Sequence, residues 1–185
     1  MSQPKALIVI DVQNGFKHPD MPPSNNPACE ANVKRLLNTW RQREWPIVLV
    51  RHDSQNPNSV LRPGQAGNEF QPGIDGTKSL VVSKSVHSAF LGEPSLHRWL
   101  SEAMLTDVVI CGIQTNYCCE TTARMANNLG YSVDFVLDAT RTFDLTDLDG
   151  NVVTAAELAR VTATNLNGEF ARVVSTEQLL SEVAG

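Results

Sequence analysis

No apolar run in this 185-residue chain is long enough to cross a bilayer, which takes about 20 residues. The first run, Ala6–Ile10, meets Asp11 at once, and no signal-peptide cleavage pattern follows it. A cytoplasmic protein is expected. Basic charge is also scarce. Fifteen Lys and Arg against 20 Asp and Glu leave a net charge of −5, with no basic cluster. Nucleic acid and anionic membranes are therefore poor partners. The four cysteines (Cys29, Cys111, Cys118, Cys119) show no paired spacing of a disulfide scaffold or a zinc site. A bridge between the neighbours Cys118 and Cys119 would be strained, so reduced thiols are expected. The four histidines (His18, His52, His87, His97) make a thin set from which to assemble three or four converging metal ligands. No internal repeat, low-complexity block or domain boundary appears, which implies one domain over residues 1–185.

What the chain does have is alternation. Strand-like apolar runs lie at about 5–11, 47–50, 79–83, 107–112 and 131–137, with a short one at 172–174. Helical spacing appears at about 28–43, where Val33, Leu36, Leu37 and Trp40 share a face, and at 94–104, 117–129, 155–164 and 176–183. Alternating strands and helices predict an α/β fold: a three-layer α/β/α, Rossmann-like parallel six-stranded sheet with helices on both faces. The polar connection 51–77 is rich in Pro and Gly and too long for a plain loop, so an ordered flap over the site is expected. Asp138 is read as the end of the fifth strand, fixing the loop that follows.

The densest chemistry lies in residues 107–124. An apolar run ends at Gly112, a polar turn follows, and Cys118 opens a helix. Free N–H groups at a helix start can stabilise a thiolate and an oxyanion. Two other runs end in charged residues, the first at Asp11 and the third at Lys84. Ligands of open parallel sheets bind beyond the carboxyl ends of the strands. If the three runs are neighbours, a carboxylate, an ammonium and a thiol converge. Asp11 would take the thiol proton, Lys84 would hold the thiolate, and Cys118 would attack. Cys119 would point about 100° away on a helix, into the core. Arg51 is read as a substrate contact or a plain salt bridge.

Three stretches, ALIVIDVQNGF (6–16), VVSKSVHSAF (81–90) and CGIQTNYCCETTARMANNLGY (111–131), resemble the isochorismatase-like cysteine hydrolases. That family includes nicotinamidases, N-carbamoylsarcosine amidohydrolase and isochorismatase. The resemblance implies a catalytic triad of Asp11, Lys84 and Cys118. It implies a cis peptide at Ile113–Gln114 and an oxyanion hole made by the backbone N–H groups of Gln114 and Cys118. It also implies association as a homodimer or homotetramer. Nicotinamidases of the family hold a metal through an Asp-x-His motif, whereas this chain has His52-Asp53, in the reverse order. A metal-free, cofactor-free enzyme is therefore expected, and nicotinamide is disfavoured as substrate. Gln13, Phe16, Phe90 and Tyr117 lie close to the triad in sequence, and His52 follows the second strand, where it is read as a flap anchor or substrate contact; these five are the expected pocket lining.

The expected activity is cleavage of a small-molecule C–N bond (amide, carbamoyl or imide) through a thioester. The alternatives are hydrolysis of an isochorismate-type vinyl ether, and a non-catalytic binding member of the fold.

Overall fold

The computed structural model describes residues 3–184. Six parallel strands form one sheet: β1 (Ala6–Ile10), β2 (Ile47–His52), β3 (Leu80–Lys84), β4 (Asp107–Ile113), β5 (Ser132–Arg141) and β8 (Arg172–Val174), in the order β3-β2-β1-β4-β5-β8. A small antiparallel hairpin, β6 (Leu145–Thr146) with β7 (Val152–Val153), stands apart. The helices are α1 (Cys29–Gln42), α2 (Leu96–Glu102), α3 (Glu120–Asn128), α4 (Ala155–Leu166) and α5 (Thr176–Ala184). The expected α/β/α architecture is what the structure shows.

β1 displays the logic of the layers. All five of its residues are buried, because helices cover both faces of the sheet. Alternate side chains go to opposite faces. Ala6, Ile8 and Ile10 pack with Leu96 and Leu100 of α2, Ala123 and Ala126 of α3, and Leu166 of α4. Leu7 and Val9 pack with Val33, Leu36, Leu37 and Trp40 of α1, and with Leu179 and Val183 of α5. The helical stripe read from α1 is thus the face that builds the second core.

Strand order reverses between β1 and β4, and a crevice opens beyond their carboxyl ends at such a point. The two backbones come unusually close there. Gly112 pairs with Ile10 at φ +125°, and a Cβ on it would stand 2.0 Å from the Ile10 carbonyl oxygen. Gly112→Ala is expected to cost roughly 3 kcal/mol, from the left-handed backbone and the backbone clash together. Urea unfolding measures it, and an unchanged midpoint would contradict the close approach.

Several boundaries differ from the sequence reading. β2 runs on through Arg51 and His52, which pair with Ser83 and Lys84 of β3. β5 continues past Leu137 to Arg141, across a register shift between Ile110 and Gly112 of β4. Asp138 therefore lies inside a strand. Its Oδ1 accepts from the N–H (2.7 Å) and hydroxyl (2.8 Å) of Thr176, capping α5 rather than fixing the following loop. Polar residues hid this strand extension, and the two-residue strands of the hairpin are too short to show a period. The helix read over 117–129 divides into a π-helical turn, Thr115–Cys119, and α3.

The 51–77 connection is tied to the segment that follows Asp11. Phe70 bridges to Gln13, the Gln71 N–H donates to the Val12 carbonyl (3.0 Å), and the Asn14 N–H donates to that of Glu69 (2.9 Å). Asn68, buried, donates to the Asp53 carboxylate (2.9 Å) and the Leu61 carbonyl (2.9 Å). Among the described residues, no helix is long and apolar enough to cross a membrane.

Candidate active site

Asp11 follows β1 and adopts φ +52°. This left-handed conformation is unusual for a side-chain-bearing residue, although Asp is among those that adopt it. Lys84 ends β3, and Cys118 sits in the turn after β4. The three side chains meet. Lys84 Nζ donates to Asp11 Oδ2 at 2.6 Å and to Cys118 Sγ at 3.4 Å. The ion-pair side chains are wholly buried, and Cys118 keeps 8% exposure. Asp11 Oδ1 has no hydrogen-bond partner among the described residues. A buried carboxylate oxygen without a partner is uncommon and suits a proton acceptor.

Charge in this pocket is governed by burial. Desolvation raises the Asp11 carboxyl above its ordinary value, and the Lys84 ammonium works against that rise. Burial disfavours the Lys84 ammonium as well, but the Asp11 carboxylate and Cys118 outweigh it and hold the lysine above its usual range. The Cys118 thiol is pushed up to about 12, first by burial and then by the Asp11 charge, with Lys84 opposing. The resting sulfur is therefore a thiol. A protonated resting sulfur is what the expected proton transfer to Asp11 starts from, and the turn that holds it is π-helical, not the simple helix N-terminus read from sequence. Cys119 is fully buried, and burial raises its thiol well above the ordinary range.

The turn that carries Cys118 begins at a cis Ile113–Gln114 peptide. The Gln114 carbonyl accepts from the N–H groups of Tyr117 (3.3 Å) and Cys119 (3.1 Å), and the Gln114 N–H has no backbone partner among the described residues.

The structure divides the expected pocket residues. His52 joins the cluster, its Nδ1 3.2 Å from Lys84 Nζ. Burial and the Lys84 charge lower its pKa, which favours the neutral ring. Tyr117 is 40% exposed and stands at the mouth. Gln13 is not a pocket residue. It is fully buried, its Oε1 accepts from the His52 N–H (2.9 Å), and its Nε2 donates to the Asn68 carbonyl (2.8 Å). An amide so engaged staples the 51–77 connection to β2. Phe16 stacks on Phe143 at 6.0 Å in the core on the α1 face, whereas Cys118 belongs to the opposite core. Phe90 shares the Cys118 cluster, but its ring stacks on Tyr131 at 5.6 Å as core packing. Arg51 pairs with Asp53 (3.0 Å) and donates to the Ser83 hydroxyl (3.2 Å), which is the salt-bridge alternative.

His87 was missed. Its Nδ1 lies 3.7 Å from Cys118 Sγ, and its ring packs against Tyr117 with centroids 5.8 Å apart. Its place three residues after Lys84, within a stretch already singled out, was the available signal.

Ligand atoms of Asp11, His52 and Cys118 lie within 4.8 Å of one another, so three donors do converge, contrary to the sequence expectation. They do not fit a metal ion. The Lys84 ammonium contacts all three, at 2.6, 3.2 and 3.4 Å, and already stands where a cation would bind them.

Comparison with known proteins agrees with this architecture. The family model for the Isochorismatase domain matches residues 5–178. The isochorismatase family protein YrdC of Bacillus subtilis is 32% identical, over 98% of this chain and 97% of its own. Nicotinamidase 3 of Arabidopsis thaliana is 30% identical, over 97% of this chain and 89% of its own. The crystal structure of a putative hydrolase of the isochorismatase family from Chromobacterium violaceum superposes with a TM-score of 0.92 at 34% identity, covering 100% of this chain and 99% of that one. With a family match over nearly its whole length and hydrolases among its relatives, the chain belongs to the isochorismatase domain family and is a hydrolase.

Proposed function

We propose that the protein is a cysteine amidohydrolase that cleaves a C–N bond of a small amide, carbamoyl or imide compound through a thioester, without a metal. One observation carries this reading: a single buried ammonium touches both the Asp11 carboxylate and the Cys118 sulfur, while the other carboxylate oxygen has no hydrogen-bond partner among the described residues. As the substrate carbonyl approaches, the thiol proton passes to Asp11 and the sulfur bonds to the carbonyl carbon. The oxyanion is received by the N–H groups of Gln114 and Cys118. Protonated Asp11 hands its proton to the leaving nitrogen as the C–N bond breaks. Water, losing a proton to Asp11, then attacks the thioester, and the thiol re-forms. Lys84 keeps the Asp11 charge in place and stabilises negative charge growing on sulfur.

This scheme sets a pH dependence. Asp11 must be ionised to accept the thiol proton, and its folded value is raised. Activity is thus present above that value and lost as pH falls through it. The acid limb of kcat/KM is expected above the ordinary aspartate range of about 3.9. A limb at or below that range would contradict a buried Asp11 base.

The test of the reading is ammonia release across a panel of small amides, carbamoyl compounds, cyclic imides and nicotinamide, with and without chelator, beside Cys118→Ala. Chelator-resistant release that is lost in the variant supports it. Release that needs a metal, or that survives the substitution, overturns it.

Four free cysteines support placing the protein in a reducing compartment such as the cytoplasm. Association with copies of itself, as a dimer or tetramer, is proposed on the family resemblance alone.

A further inference from the structure

We propose that His87 is the substrate-reading residue of this site, contacting the group carried beside the carbon that Cys118 attacks. The inference rests on Cys118 being the nucleophile. The sulfur has two sides. On the buried side it meets Lys84, which is already paired with Asp11. On the open side it meets the exposed His87, whose Nδ1 is 3.7 Å away. A carbon bonded to the sulfur lies one bond length from it. The substituents of that carbon then come within hydrogen-bond reach of a ring nitrogen so placed.

The charged side chains nearby are already paired, and the unpartnered Asp11 Oδ1 serves as the proton acceptor. Asp11 and Lys84 hold each other, and Arg51 is paired with Asp53. Glu120 of α3 is closed on Arg124 and on the Thr162 hydroxyl. His52 faces Lys84. His87 has Cys118 Sγ as its only polar contact among the described residues.

The ring is placed, not merely loose on the surface. The chain just after it is anchored to α3, which continues the Cys118 turn. The Ala89 N–H donates to the Thr122 hydroxyl at 3.1 Å, and the Ser88 hydroxyl lies 3.0 Å from the Met125 sulfur. Tyr117 backs the ring with an exposed flat face. The substrate class that follows is a carbonyl compound with a hydrogen-bonding or acidic group one or two bonds from the scissile carbonyl carbon. Such a group meets the imidazole while a planar remainder lies on Tyr117.

The test uses two reagents that present the same electrophilic carbon to Cys118 and differ beside it. Iodoacetamide carries a neutral amide there and iodoacetate a carboxylate. In both, the S–C bond forms as iodide leaves, and the thiol proton goes to the site base. The groups facing His87 are Cys118, Tyr117 and, at longer range, His52, Asp11 and Lys84. The rate ratio of iodoacetate to iodoacetamide at Cys118, followed by mass spectrometry on the full chain at one fixed pH, is expected to fall about fivefold or more in His87→Ala, because a carboxylate gains more than an amide from a ring N–H donor.

A ratio equal in wild type and His87→Ala overturns the role of His87 and leaves the nucleophile standing. A Cys118 that resists both reagents overturns the nucleophile and this inference with it.

Discussion

Cys118→Ala is expected to lower turnover at least about a thousandfold while leaving the fold in place. The two halves of this expectation have separate causes. The bond to the substrate carbon is made by the sulfur, and neither Asp11 nor Lys84 offers a replacement nucleophile at that position. Stability depends little on the sulfur, because Lys84 keeps its 2.6 Å bond to Asp11 when the thiol is gone. Removing one small group from a site with 8% exposure costs on the order of 1 kcal/mol. Ammonia release and thermal unfolding of the same preparation separate the effects. Turnover at the wild-type rate in a well-folded Cys118→Ala would end the thioester mechanism. Turnover that persists there and disappears in Asp11→Ala would point to acid-catalysed vinyl-ether cleavage instead.

Lys84→Met should lose both activity and stability. Its ammonium is one half of an ion pair with no exposed side-chain surface on either partner. Breaking such a pair strands the other charge and costs about 3–5 kcal/mol. For a chain of this size that is a fall in Tm of roughly 6–20 °C. The double variant Asp11→Asn/Lys84→Met strands no charge, so it should regain most of the stability and none of the activity. Lys84 has a raised pKa in the folded chain. Its contribution is therefore complete below the ordinary lysine value of about 10.4 and declines only as pH rises through the higher folded value. Lys84→Met melting at the wild-type temperature, with the double variant no different, would mean that no charged pair is buried there.

Two of the strands that carry the chemistry, β1 and β4, were legible because they are buried on both faces. Ala6–Ile10 and Val108–Cys111 of β4 are unbroken apolar runs, and such runs are hard to mistake when a charged residue or a glycine ends them. The stripe of α1 was legible because Val33, Leu36, Leu37 and Trp40 recur at helical spacing and face one core. Polar positions were not legible in this way. Asp138 and Gln13 owe their roles to partners far along the chain, Thr176 and Asn68, and no local pattern announces such pairings.

The order and spacing of Asp11, Lys84 and Cys118 along the chain, each just past an apolar run, were enough to nominate them as a set. The sequence by itself determined the layered fold, through alternating runs and helical stripes, and named the three side chains that belong together. Only the tertiary structure decided what surrounds them. It brought His87 to the open side of the sulfur, sent Phe16 to the opposite core, and raised the Cys118 thiol to about 12. The reason is physical. Which residues are apolar, and with what period, is written locally in the chain. The direction of a side chain, its degree of burial and the charges beside it depend on distant segments, and these become neighbours only when the sheet has formed.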